Sequence, residues 1–177
     1  MKTLLKLSLA ATAVITAFGA QAQEFPSKDK TVTLVVPYAA GGPTDRVARD
    51  LAEALRKPLG VSVVVDNAAG AGSTIGTAKA ARATPDGYTL LLNHISMSTM
   101  PTMYRKLAFN VVNDFEYLGI INDVPMTLIA KPSMAANNYK ELSTWINQNK
   151  GKINLGNAGQ GSASHLCGLM FQSALQV

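Results

Sequence analysis

The chain has 177 residues, with 16 Lys plus Arg against 11 Asp plus Glu, 47% apolar residues, 15% charged residues and one Cys. This composition excludes a disordered tail and a disulfide scaffold, and the length suffices for one or two small globular units. The formal charge of +5 is modest, and two of its lysines lie in a segment expected to be removed.

Residues 1–22 read as a secretory signal peptide, with a hydrophobic N-terminal anchor as the alternative. Lys2 and Lys6 form a basic start, Leu7 to Ala20 is mostly apolar, and Ala20-Gln21-Ala22 fits the small-x-small cleavage rule. The apolar stretch is too short and too rich in Ala and Thr for a span of about 20 apolar residues, so a membrane-embedded chain is not expected. With Cys167 as the one cysteine, no internal disulfide can form even in an oxidising compartment.

Beyond residue 22 the chain alternates between two hydrophobic periods. Thr31 to Val36 is rich in β-branched residues and ends at Pro37, and the Gly-rich loop Tyr38 to Gly42 follows. Pro43 to Pro58 has helical spacing, with Val47, Ala48, Leu51, Ala52 and Leu55 on one face and Arg46, Arg49, Glu53 and Arg56 towards the other. Val61 to Val65 predicts a second strand, Asn67 to Gly76 a second Gly-rich loop, and Ile75, Ala78 and Ala81 mark the next helix. Pro85-Asp86-Gly87 predicts a turn, because Pro presets φ and Gly accepts positive φ. Tyr88 to Leu92 is then a third strand, apolar enough to be buried on both faces. Three strand-to-helix units in succession imply α/β architecture with a parallel sheet, since parallel strands need crossover connections. Strand order is not legible.

After His94 the pattern loosens. Ile95 to Met103, rich in Met, Ser and Thr, is expected to be a loop or a short helix at a boundary. Asp114 to Ile121 and Met126 to Ala130 predict strands joined by Asn122 to Pro125. Lys140 to Asn149 predicts a helix that turns Leu142, Trp145 and Ile146 inward and ends at Gly151. Ile153 to Gly156 is a further short strand, Asn157 to Ser162 a third Gly-rich loop, and Ala163 to Leu175 a helix burying Leu166, Leu169 and Met170. The expected organisation is a signal peptide over 1–22, a first α/β unit over 23–97 and an incomplete second unit over 98–177.

Each Gly-rich loop falls between a predicted strand and a helix. Unpaired N–H groups at a helix start carry partial positive charge, glycine lets an anion approach the backbone, and such loops are where α/β sheets bind ligands. The chemistry expected there is capture of a small anion, most plausibly a carboxylate, by backbone amides and the hydroxyls of Ser162 and Ser164. The bland reading is that the glycines only permit tight turns.

An enzyme reading is weaker. Gly70 to Gly76 resembles a nucleotide-binding loop, but Leu92 is followed by Asn93 and His94 where an acidic residue is expected. There is no phosphate loop of the GxxxxGK[ST] kind, no GxSxG elbow and no HExxH motif. His94 and His165 with Ser96 or Ser164 permit a hydrolytic triad only in imagination, so structural roles are expected for both. No cofactor is implied. Asp45 with Arg49 and Glu53 with Lys57 read as i,i+4 pairs on a solvated helix face, which argues against nucleic acid. Asp45 is expected to compensate the helix dipole, Met97, Met100 and Met103 to pack at a boundary, and Cys167 to be a small buried hydrophobe.

The segments VVPYAAGGPTDRVARDLAEAL at 35–55, GAGSTIGTAKAARATPDGYTLLL at 70–92 and NAGQGSASHLCGLMFQSA at 157–174 resemble the substrate-binding proteins of tripartite tricarboxylate transporters, the Bug or TctC family. The resemblance implies a periplasmic binding protein of type II-like fold, with two α/β domains around a cleft that closes on a carboxylated solute and presents it to a membrane permease. Carried over by position, Tyr38, Ala40 and Gly41 would line the first loop, with Thr44 and Asp45 opening the helix beside the ligand. His94 to Ser96, including Ser96 itself, would form the mouth after the third strand, and Ala158, Gly159, Gly161, Ser162 and Ser164 the second anion cradle. Where the family has a basic residue and Pro before the second loop's glycines, this chain has Ala68 and Ala69, so a less rigid loop is expected. The chain also ends about halfway along the family's usual length, so residues 23–177 alone are expected to bind carboxylates weakly or not at all. A periplasmic sensor input for a two-component receptor is the runner-up, and a small hydrolase the more distant one.

Overall fold

The computed structural model describes residues 25–177, so the expected signal peptide and its cleavage site lie outside the described residues. Three strands, β1 (Val32–Val36), β2 (Val63–Asn67) and β3 (Thr89–Leu91), form a parallel sheet in the order β2-β1-β3. Thr33 sits opposite both Val64 and Thr89, which fixes the register across the sheet. β1 is the central strand, and its Val32, Leu34, Val35 and Val36 are all buried. The chain passes from β1 to β2 on one side and then to β3 on the other, so the side on which strands are added switches at β1.

Helix α1 (Pro43–Leu59) connects β1 to β2. Pro43 suits its first turn because a proline there forfeits an N–H that has no partner anyway. Gly60 closes it in the left-handed conformation at φ 67°, donating to the Arg56 carbonyl at 2.9 Å. Ala48 and Ala52, the small residues of its apolar stripe, press onto Leu34, Val36, Val32 and Val63. The polar face carries Arg46–Asp50 and Arg56–Glu53 ion pairs, so Glu53 takes Arg56 rather than the expected Lys57.

A one-turn 3-10 segment (Ala71–Ser73) and α2 (Thr74–Ala81) lead from β2 towards β3. Gly76 lies where an added Cβ would stand 2.6 Å from the Ala68 carbonyl and 2.7 Å from Pro37, so α2 sits hard against the ends of β1 and β2. Helix α3 (Ser96–Met103) resolves the ambiguous stretch after β3 as a helix. Its Met100 is fully buried against Ala78 and Phe109, with Phe115 edge-on to Phe109 at 6.1 Å. β2 begins at Val63 rather than Val61, although Val61 is in the core as expected. β3 is only partly buried, not enclosed on both faces.

The remaining helices are α4 (Tyr139–Gln148) and α5 (Ala163–Leu175). Asn138 caps α4 by accepting from the Glu141 N–H at 3.0 Å, while Glu141 reaches back to the Asn137 N–H at 2.8 Å. The predicted strands at 114–121, 126–130 and 153–156 do not form. Leu118, Ile120 and Ile129 are each more than four-fifths exposed, and among the described residues no neighbouring strand accepts their backbone hydrogen bonds. A strand is a paired object, and apolar alternation without a partner leaves only an extended chain. For the same reason α5 does not bury the expected Leu169 and Met170, and Cys167 is exposed rather than buried; only Gly168 of this helix is buried, with Leu155 close above it.

Candidate functional site

Because the three strands are parallel, the segments after β1, β2 and β3 leave from one edge of the sheet. They meet there in a cluster of hydroxyls. The Tyr38 hydroxyl lies 2.7 Å from Ser96 Oγ, 3.0 Å from Asn93 Oδ1 and 3.2 Å from His94 Nδ1. Ser73 donates to Ser96 Oγ at 3.0 Å, and Ser96 donates to Asn93 Oδ1 at 2.7 Å. Asn93 Nδ2 donates to Thr77 Oγ1 at 3.0 Å, and Thr77 passes its own proton to the Ser73 carbonyl at 2.8 Å. One buried polar seam therefore joins the loop after β1, the 3-10 turn, α2 and the start of α3. Ser73, Thr77 and Ser96 are buried, and a buried hydroxyl is tolerated only when bonded in this way.

The Tyr38 and His94 rings stack, with centroids 4.3 Å apart and planes 18° from parallel. Burial pushes the Tyr38 phenol above its ordinary range and the His94 imidazole below its own, so both are neutral near pH 7.

Asp45 holds the first loop. Its Oδ2 accepts from the Gly41 N–H at 2.8 Å and from Arg49 Nε at 2.9 Å, while its Oδ1 accepts from Asn67 Nδ2 at 3.0 Å. The Arg49 guanidinium, then the Gly41 amide, hold its pKa at about 2. Asp45 is thus a buried carboxylate that ties the loop after β1 to the end of β2, with its expected i,i+4 partner in place.

The third Gly-rich loop packs against the second. A Cβ added to Gly159 would stand 2.9 Å from the Gly72 Cα, and one added to Gly72 would strike the Tyr104 hydroxyl and the Gln160 carbonyl. Thr99 donates to the Gly161 carbonyl at 2.7 Å and Tyr104 to the Gln160 carbonyl at 3.0 Å, so α3 carries this loop. Within the loop three of the candidate amides are occupied by side chains. Ala158 donates to Ser164 Oγ at 2.9 Å, Gly159 to Asn157 Oδ1 at 2.9 Å and Gly161 to His165 Nδ1 at 3.2 Å. Ser162, buried, caps α5 by accepting from the His165 N–H at 3.2 Å.

Of the twelve candidate residues, then, Tyr38 touches both His94 and Ser96, and Gly41 is bonded to Asp45. The five from 158–164 form a separate self-bonded turn. Ala40 is exposed and its N–H has no partner among the described residues, and Thr44 stands in the first turn of α1, where N–H groups lack intrahelical acceptors. Sequence reasoning missed Ser73, Thr77, Asn93 and Asn67. Only their position next to strand ends could have marked them. Among the described residues no group of three or more His, Cys, Asp or Glu is placed to hold a metal, and no helix is long and apolar enough to cross a membrane. An open depression of about 470 Å³ lies against α4, lined by none of these residues.

Residues 47–177 match the family model for the tripartite tricarboxylate transporter family receptor. The chain belongs to this family. It is 42% identical over 165 residues to a protein of Agrobacterium vitis encoded in the TAR-I ttuE-ttuC' intergenic region, covering 93% of this chain and 47% of that one. It is 34% identical to BugT of Bordetella pertussis, covering 85% of this chain and 46% of BugT. The chain therefore spans about half the length of the curated relatives it matches. Among solved structures, the periplasmic binding protein BugD superposes with a TM-score of 0.81 at 52% identity, over 85% of this chain and 50% of BugD. MatC from Rhodopseudomonas palustris, solved with bound malate, gives 0.77 at 33% identity, over 86% of this chain and 52% of MatC. Rpa4515 of R. palustris, solved with adipate, gives 0.81 at 29%, over 87% of this chain and 51% of Rpa4515. The fold is accordingly that of the α/β periplasmic binding proteins, represented over about half their length.

Proposed function

We propose that this chain is a periplasmic solute-binding protein, without catalytic activity, that captures a small di- or tricarboxylate for the permease of a tripartite tricarboxylate transporter. The observation that carries this reading is the convergence of three strand-to-helix segments at the Tyr38–Ser96–Ser73 seam, at the sheet edge where α/β folds bind ligands. Within it Ala40 and Thr44 offer N–H groups and His94 an imidazole to the ligand, whereas Asp45 and Ser96 are internal posts that hold those groups in place. The division of the chain into two units near residue 97 belongs to the same reading, with α3 as the connecting element.

The geometry supports capture rather than hydrolysis. Ser96 gives its proton to Asn93 and not to His94, and Ser164 accepts from an amide while His165 Nδ1 accepts from another. Neither serine has an imidazole placed to take its proton. Relatives solved with malate and adipate support a carboxylate ligand, and the exposed stretch around Leu118 to Ile129 leads us to expect weak affinity from this chain alone.

Titration of the purified, isotopically labelled chain with malate, adipate and citrate, followed by NMR, tests the proposal. Saturable shifts at the amides of residues 38–45 and 93–96, at millimolar ligand and with the ligand chemically unchanged, are expected. Turnover of the ligand, or shifts that avoid these residues, would refute it.

A further inference from the structure

Counting protons in the seam favours one nitrogen of His94 as the protonated one. The Asn93 side-chain amide is oriented by two bonds: its oxygen accepts from the His94 backbone N–H at 2.8 Å, and its nitrogen donates to Thr77 Oγ1, whose own proton is spent on the Ser73 carbonyl. Oδ1 is therefore an acceptor only. Four contacts around it, Tyr38–Ser96 at 2.7 Å, Ser96–Asn93 at 2.7 Å, Tyr38–Asn93 at 3.0 Å and Tyr38–His94 at 3.2 Å, share just two hydroxyl protons, since the Ser73 proton already points at Ser96. If Nδ1 were bare and took the Tyr38 proton, the Ser96 proton alone would serve three oxygen–oxygen contacts, and two of them would have no proton between their atoms. With a proton on Nδ1, His94 donates to Tyr38, and the two hydroxyl protons serve the shortest pairs, Tyr38 to Ser96 and Ser96 to Asn93, leaving the longer Tyr38–Asn93 contact at 3.0 Å without one.

We infer that His94 is held as the Nδ1–H tautomer, and that its bare Nε2 is a hydrogen-bond acceptor that selects carboxylates bearing a hydroxyl donor over plain dicarboxylates. Among the described residues nothing bonds Nε2, and burial keeps the ring neutral. A carboxylate oxygen facing a lone pair is repelled, whereas a hydroxyl beside the carboxylate completes the bond. His165 serves as an internal contrast: its Nδ1 accepts from the Gly161 N–H, so its neutral form carries the proton on Nε2.

This inference rests on the proposed ligand site, and its test separates the two. Long-range ¹⁵N–¹H spectra of the imidazoles at pH 8, assigned with a His165→Gln variant, should show opposite tautomers for the two histidines. Malate should then shift the His94 Nε2 resonance and bind about 3- to 10-fold more tightly than succinate, the same skeleton without the hydroxyl. A Tyr38→Phe variant should mix the His94 tautomers. A proton on Nε2 of His94, or equal affinity for succinate and malate, overturns the inference. If succinate moves the amides of residues 38–45 as strongly as malate while His94 stays still, the inference fails and the capture site stands; if neither acid moves any of these, both fail.

Discussion

The segment from β1 to α3 and the segment from residue 116 to 135 have similar apolar content but opposite fates. In the first, Val32, Leu34, Val35 and Val36 are covered by α1 on one side and by α2 and its neighbours on the other. In the second, Leu118, Ile120, Ile121, Val124 and Ile129 all face solvent. The difference lies in pairing: hydrophobic burial is a property of two surfaces, and backbone hydrogen bonds need a second strand. A sequence can announce one surface without supplying the other.

This contrast can be broken most forcefully in the sheet. Leu34→Ala removes a fully buried side chain between α1 and β1 and is expected to cost about 2–5 kcal/mol, read as a lower urea midpoint at unchanged slope. Next comes Gly159→Ala, whose methyl meets the Gly72 backbone at 2.9 Å in a position with φ 109°. A cost of about 1–3 kcal/mol is expected, together with amide shifts at 70–73 that mark the displaced loop.

A smaller effect should appear in acid. Folding lowers the Asp45 pKa from 3.8 to about 2, so the unfolded chain takes up this proton first. The stabilisation is complete above pH 3.8 and lost as pH falls towards 2. Urea midpoints measured at pH 5 and pH 2.5 should therefore fall less in an Asp45→Asn variant than in the parent; an equal fall would mean the loop tie contributes nothing. The smallest effect belongs to the unpaired region. Ile120→Lys should change stability by no more than about 0.5 kcal/mol while reducing self-association in sedimentation. A large loss of stability there would show that this stretch is packed after all.

Much of the first region was legible because its signals are local. Proline at the start of α1, glycine after it, and the spacing of Ala48, Leu51, Ala52 and Leu55 need no knowledge of distant residues. The predicted strands at 114–130 failed because alternation reports a face and not a partner. Leu169 and Met170 were misplaced likewise, since helical spacing assumes a surface to bury against. In the candidate site, Tyr38, His94 and Ser96 were named in advance and do touch. The role of Asp45 was only half legible: its ion pair with Arg49 follows from i,i+4 spacing, but its bonds to Gly41 and Asn67 depend on how β1 and β2 align. The hydroxyl seam was hidden because Ser73 and Asn93 look like ordinary loop residues, and Thr77 like an ordinary helix residue, until the sheet brings them together.

The backbone-on-backbone contact of Gly72 with Gly159 holds no ionisable group and no rotamer, so neither acidity nor salt can tune it. Its response is to volume alone. A methyl on Gly159 meets the Gly72 backbone and one on Gly72 meets the Gln160 carbonyl and the Tyr104 hydroxyl, so either parts the two turns, and the second then enters space the first has opened. The penalties of the two single changes should thus exceed the penalty of the pair, a thermodynamic coupling between two positions distant in the chain.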